Sequence, residues 1–324
     1  MAFTRRGLVA SGLLAAAHQA FSQQAGQGQT QQPQGQQAQQ PLPTPNRHQP
    51  GPKPRATPAL CLWGDQLLKI NYEDVAPMIR PLGLDGVDLM AQPGGHIEPE
   101  HADLHLERAI ESMTGNGVEV WCMSTSFTAP TDPTLRLALE WSGEMGVPMV
   151  RPGDWKFTDA EPEARLIEVQ REISMLAQMA RQTGTTIAIH NGTSDVVGGS
   201  VWDLYFILRG MDARLVGYDF DIANAAGQSA GDGWETGLRL VLPRLKKVTA
   251  RDVYWSKDSG QWKLTDCPMG EGMVDWPKFL AELARHKFAG PITLHVGYSP
   301  KDEFTAIRND VKFLKKQLAT AYGG

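Results

Sequence analysis

Cysteine is scarce: the 324-residue chain has three, at 61, 122 and 267. An odd and widely spaced set makes neither a metal knuckle nor a redox pair nor a disulfide framework, so apolar burial must hold the fold. Pairing of Cys61 with Cys122 in an oxidising compartment stays open, because both fall near strand ends. Long apolar runs are also missing. No stretch approaches the ~20 apolar residues that a membrane helix needs, so no span is expected in the mature protein. Nor does one sign of charge dominate. With 31 Lys and Arg against 36 Asp and Glu, net −5 and mixed along the chain, there is no basic footprint for nucleic acid. A small-molecule partner is favoured instead.

The first residues have a different character. Arg5 and Arg6 precede an apolar, small-residue stretch that runs to about Ala17. This is the pattern of an export leader, of the twin-arginine type or an ordinary secretory one, cleaved near Ala20 to Ala25. The first cysteine is too far downstream for a lipid anchor at that point. Residues 23–57 are Gln, Gly and Pro with almost no apolar side chains, so they cannot bury enough surface to offset ordering entropy and read as a disordered tether. The organisation expected is a leader over 1–22, a tether over 23–57 and a single domain over 58–324, exported to the periplasm or secreted.

From Ala59 onward, short β-rich runs alternate with long amphipathic ones, the mark of repeated βα units around a parallel sheet. Eight runs are found: Ala59–Trp63, Gly86–Met90, Val118–Cys122, Pro148–Gly153, Thr186–His190, Leu215–Asp221, Lys247–Asp252 and Pro291–Val296. Eight close a (β/α)8 TIM barrel. Between the fourth and fifth, Glu163 to Thr183 has helical apolar spacing and Gly184 as its stop. Side chains alternate across a strand. The fifth strand therefore turns Thr186, Ala188 and His190 inward, and the sixth Gly217, Asp219 and Asp221. The seventh turns Thr249 and Arg251 inward, and the eighth Thr293 and His295. Unpaired buried carboxylates and imidazoles are costly, so this inward set needs a partner. His190, Asp221 and His295 all fall at carboxyl ends of strands, where barrel active sites are built.

Several segments resemble the xylose-isomerase-like family of sugar phosphate isomerases and epimerases. TTIAIHNG (185–192) resembles the family strand that ends in His-Asn-His or Glu-Asn-His, and VGYDFDIANAAG (216–227) its Asp-x-Gly-His strand. VTARDVYW (248–255) resembles a His-x-Lys-Asp strand. PMGEGMVDWPKFLAEL (268–283) resembles the Gly-rich Asp-Trp segment before the last helix, and GPITLHVGY (290–298) the eighth strand. The resemblance spans residues 59 to 320. It implies one divalent metal ion held by Glu, Asp, His and Glu on strands five to eight, with the two glutamates shuttling a proton beside a substrate carbonyl.

The departures bear on mechanism. Those four positions read His190, Asp221, Thr249 and His295, the family's second histidine on strand six is Asn224, and its strand-seven lysine is Arg251. A glutamate pair is unavailable. His190, Asp221 and His295 remain a chemically reasonable ligand set for Mn, Zn, Co or Fe. The competing arrangement is a metal-free cluster in which Asp221 orients a histidine. His190 or His295 as general base competes with ligation for the same nitrogen.

Further candidates for substrate contact are Trp63, Arg151, Asn191, Asn224, Arg251 and Asp252. The arginines have internal pairing with Asp219, Asp252 or Asp88 as their structural alternative, the asparagines have turn capping, and Trp63 has filling of the mouth. Glu271 reads as a turn residue, and His96, His101 and His105 as a solvated face. The expected activity is metal-assisted proton transfer beside the carbonyl of a sugar or sugar-derived substrate. A lyase or hydrolase on the same barrel, and a non-catalytic carbohydrate-binding barrel, are the alternatives. A homo-oligomer is compatible with the sequence.

Overall fold

The computed structural model describes residues 51–193, 195–229 and 233–323. The leader and the tether up to residue 50 lie outside them. Eight parallel strands close the expected barrel: β1 (Leu60–Trp63), β2 (Gly86–Met90), β3 (Glu119–Ser124), β4 (Met149–Arg151), β5 (Thr186–His190), β6 (Val216–Asp221), β7 (Leu245–Ala250) and β10 (Ile292–Leu294), with β10 pairing to both β7 and β1. The remaining two, β8 (Asp252–Asp258) and β9 (Gln261–Cys267), form an antiparallel hairpin outside the barrel.

The helices are α1 (Tyr72–Ile79), α2 (Ala102–Gly115), α3 (Pro133–Glu144), α4 (Pro162–Thr183), α5 (Val201–Leu208), α6 (Ile222–Gln228), α7 (Trp234–Val241), α8 (Trp276–Arg285) and α9 (Glu303–Tyr322). Local chemistry sets their ends. Asp132 caps α3 by accepting from Thr134 N and Leu135 N, ahead of Pro133 at the first turn, and Gly184 closes α4 in the left-handed region at φ 70°. Among the described residues no helix is long and apolar enough to cross a membrane.

Strand alternation sorts the core as expected. Ile187, Ile189, Tyr218, Phe220, Val248 and Leu294 pack outward in the cluster shared with the helices, whereas Ala188 joins Cys122 and Met149 inside the barrel. All three cysteines are buried free thiols, so Cys61 and Cys122 are not bridged.

The barrel floor holds a feature absent from the sequence reading. Lys247 is fully buried, with its ammonium bonded to Asp88 and 3.3 Å from Asp219. Burial works against its charge, but Asp219 and Asp88 outweigh that and raise its pKa. Ser124 donates to Asp88 at 2.6 Å and Thr249 to Asp219 at 2.8 Å. Trp63 lies above this network. Its ring is 4.8 Å from the Lys247 ammonium and 5.0 Å from the Arg151 guanidinium, and it stacks on His295 at 5.3 Å. Residues 51–57, expected to belong to the tether, reach the amino-terminal ends of the strands, on the side away from the mouth. There Arg55 pairs with Asp85 and Glu119, each at 3.1 Å.

Candidate active site

Four strand ends, those of β5, β6, β7 and β10, and their following loops build the mouth. Asp221 closes β6 and is 1% exposed. One of its oxygens caps α6 by accepting from Asn224 N at 2.9 Å, and the other accepts from Arg251 Nε at 2.8 Å. Burial disfavours the ionised form, but the Arg251 guanidinium and His190 more than offset it, holding this carboxyl well below the usual range. Arg251, just past β7, also donates to Asp266 Oδ1 at 2.6 Å and to Asn224 Oδ1.

His190, at the end of β5, sits between two carboxylates, with Nδ1 3.3 Å from Asp154 and Nε2 3.5 Å from Asp221. Burial and the charge of Arg151 push its pKa down, yet Asp154 and the two hydrogen bonds prevail and leave it raised. His295, just past β10, moves the other way. Burial, assisted by Arg251, His190 and Arg151 against the opposing pull of Asp221, pushes its pKa down to about 3, so it is neutral throughout the physiological range. Its nearest carboxylate, Asp65, is 3.8 Å from Nε2.

The expected ligands thus come to one mouth without forming a metal cage. Both Asp221 oxygens are already engaged, and a guanidinium occupies the position facing them. Thr249, at the family's third ligand position, is directed to Asp219 on the floor. Among the described residues no group of three or more His, Cys, Asp or Glu side chains is arranged to hold a metal ion. As folded, these residues do not fit a metal: Arg251 supplies the positive charge that Asp221 requires.

The expected substrate contacts divide. Asn191 accepts from Asp221 N at 2.7 Å and donates to Asp221 O at 3.0 Å, while Asn224 donates to Asn191 O at 2.8 Å, so both asparagines brace the strand ends. Arg151 bonds Asp154 at 3.2 Å and lies 3.4 Å from Asp219, the internal pairing that was its structural alternative. Trp63 fills the mouth, its ring hemmed in by Lys247, Arg151 and His295. Asp252 is turned away. Its carboxylate accepts from Gly270 N, Val274 N, its neighbour Val253 N and Trp276 Nε1, at 2.9 to 3.2 Å, and anchors the loop before α8. That loop's Glu271 is an exposed turn residue. His105 bonds the Tyr72 hydroxyl at 3.1 Å and His96 faces the carbonyls of Gly64 and Leu67, away from these groups.

The sequence reading missed Lys247, Asp154, Asp266 and the hairpin. Lys247 only needed the β7 alternation carried back one step from Thr249. Asp154 and Asp266 lie outside the barrel strands, where periodicity says nothing.

A family model described as xylose isomerase-like TIM barrel matches residues 78–317. The chain belongs to that family. Solved structures of similar fold include a 3-keto-D-glucoside 4-epimerase from E. coli, with TM-score 0.65 and 15% identity over 80% of this chain and 100% of that one. A xylose isomerase-like TIM barrel protein from Mycobacterium smegmatis in complex with magnesium gives 0.62 and 14% over 82% and 97%. A D-allulose 3-epimerase from Methylomonas sp. in complex with D-allulose gives 0.63 and 14% over 83% and 99%. No curated protein matches the chain. At these identities the likeness is one of fold, and within the xylose isomerase-like barrel this mouth differs by having histidines where the family resemblance implies glutamates.

Proposed function

We propose that the protein is a sugar isomerase or epimerase that moves a proton beside the carbonyl of a sugar-derived substrate, with Arg251 in place of the family's metal ion. The observation that carries this reading is the pair of imidazoles beside the Asp221–Arg251 pair, their protonation driven in opposite directions. Groups whose surroundings push their pKa values apart divide into acid and base.

In this assignment neutral His295 takes the proton from the carbon next to the carbonyl. The C–H electrons form an enediolate, and the guanidinium balances the charge that develops on its oxygen. Three of the five Arg251 N–H donors are engaged by Asp221, Asp266 and Asn224. The imidazolium of His190 returns a proton, to the opposite face of the same carbon for epimerisation, or to the neighbouring carbon for isomerisation, where the hydroxyl proton also passes from one enediolate oxygen to the other. His295 has little driving force as a base in the empty site. An enediolate forming beside it raises its proton affinity when it is needed. Asp154 and Asp221 position His190, and Asn191 and Asn224 position Asp221. Export, as the leader suggests, accords with an unphosphorylated sugar.

The test is solvent-deuterium incorporation. Incubated in D2O with allulose, fructose, tagatose, xylulose and 3-keto-glucosides, the protein is expected to place one deuteron beside the carbonyl of at least one of them. His295→Ala and His190→Ala should abolish the label. Absence of label from every compound overturns the reading.

A further inference from the structure

We infer that the substrate is longer than one sugar ring and that its second ring lies against the hairpin β8–β9. The inference rests on the sugar reading of the mouth and extends it to a class of substrate. Arg251, which holds Asp221 on one side, also lines a cavity of about 550 Å³ that runs outward beneath the hairpin.

Cross-strand register puts Val253 opposite Asp266, Trp255 opposite Leu264 and Lys257 opposite Trp262. These pairs share one face of the ribbon, and Val253, Trp255, Trp262, Leu264 and Asp266 all line the cavity. Two tryptophans are thus presented beside the mouth, Trp255 at 43% and Trp262 at 68% exposure. An isolated two-stranded ribbon is marginal in water, and leaving much of two indoles on it open to solvent is unfavourable unless something covers them.

The ribbon is nevertheless built to hold its position. Trp255 Nε1 donates to Gly227 O at 3.0 Å, which fixes the ring plane. Any side chain at Gly227 would collide with Leu264, a Cβ there lying 2.6 Å from Leu264 Cδ2, so glycine admits the close approach of α6 to the hairpin. The turn at the tip uses Ser259 and Gly260 at φ 50° and 87°, the left-handed geometry of a tight hairpin. Seven residues per strand give a ribbon of roughly 20 Å, long enough to run alongside more than one ring.

The chemistry of the cavity selects its occupant. Flat indoles beside mixed polar groups suit the apolar face and hydroxyl rim of a sugar ring. The charged side chains along it, Arg251, Lys263 and Asp266, are of both signs, which favours a neutral ring over a phosphate or uronate.

Calorimetric titration of the full chain with maltose, cellobiose, sucrose, lactose and glucose tests this. At least one disaccharide is expected to bind ten-fold or more tightly than glucose. Trp262→Ala should weaken that disaccharide by roughly three- to ten-fold, leave glucose unchanged, and be largely corrected in Trp262→Phe. Trp262 is exposed near the ribbon's tip, so its removal spares the fold. If no disaccharide binds better than glucose, or if Trp262→Ala weakens both alike, the extended site is wrong. The two readings fail separately. A Trp262-dependent preference for a disaccharide without deuterium label from any sugar removes the chemistry and keeps the subsite; label without that preference does the reverse.

Discussion

Replacing Arg251 by alanine removes one guanidinium from three partners, Asp221, Asp266 and Asn224. Asp266 is 25% exposed, so losing that arm costs at most about 1 kcal/mol. Asp221 is different. At 1% exposure it would keep only the capping N–H and His190 at 3.5 Å. Stripping one partner from a buried pair costs about 3–5 kcal/mol, and the remaining imidazole argues for the lower end. For a domain of this size that is a fall of roughly 6–12 °C in Tm.

The loss should depend on pH with a definite sign. In the parent protein the Asp221 carboxyl titrates well below its unfolded value near 3.9, so its stabilisation is present above that value and disappears only in strong acid. Without the guanidinium, burial is opposed only by His190 and the capping N–H, so the carboxyl's pKa rises from its parent value and protonation on acidification relieves part of the penalty. Urea titrations at pH 7 and pH 5 should therefore show a larger gap between parent and Arg251→Ala at pH 7. The double variant Asp221→Asn/Arg251→Ala, which has no stranded charge, should recover part of the loss. A gap under about 1 kcal/mol at pH 7, or a double variant weaker than the single one, would show that the guanidinium is not what stabilises Asp221.

Protein purified without chelator should contain less than a tenth of an equivalent of Mn, Zn, Co or Fe by elemental analysis, and its Tm should ignore EDTA; stoichiometric metal would return Arg251 to a supporting role. By proton NMR, the His295 ring should show no titration between pH 8 and 5, since its pKa lies near 3. Because an unfolded histidine protonates near 6.5, that depression supplies stability above pH 6.5 that acid withdraws between 6.5 and about 3. His190, raised, contributes in the opposite sense, fully below 6.5 and lost as pH climbs through its folded value. Asp252→Asn should lower stability by about 2–3 kcal/mol, because an amide offers one acceptor oxygen to a carboxylate site filled by four N–H donors. Faster proteolysis near Gly270 would report it; an unchanged cleavage pattern would count against the anchoring role.

The barrel was legible because its signal is periodic. Runs such as Gly86–Met90 and Thr186–His190 are bounded by turns and helices, and two-residue alternation carries the orientation of every side chain in them. The convergence of His190, Asp221 and His295 followed from the same periodicity. What did not follow was how they would be partnered. Whether Asp221 meets a cation from solvent or from Arg251 depends on a few ångströms of side-chain reach, and Asp266, which helps set that reach, arrives from a ribbon outside the alternation. The hairpin was hidden because its first strand starts two residues after β7 ends, so Asp252–Trp255 reads as more of the same strand. The turn at Ser259–Gly260 and the alternation on either side of it are the signal that marks it.

The indole of Trp63 divides the barrel into two storeys. Beneath it, Lys247 ties Asp88 of β2 to Asp219 of β6 across the cylinder; above it stand His190, Arg251 and His295. The tie between the two storeys is Arg151, which bonds Asp154, the partner of His190, at 3.2 Å and lies 3.4 Å from Asp219, so an exchange at His190 would reach the ionic ballast below through that guanidinium. A change at Lys247 would be felt as lost architecture long before it was felt as altered specificity.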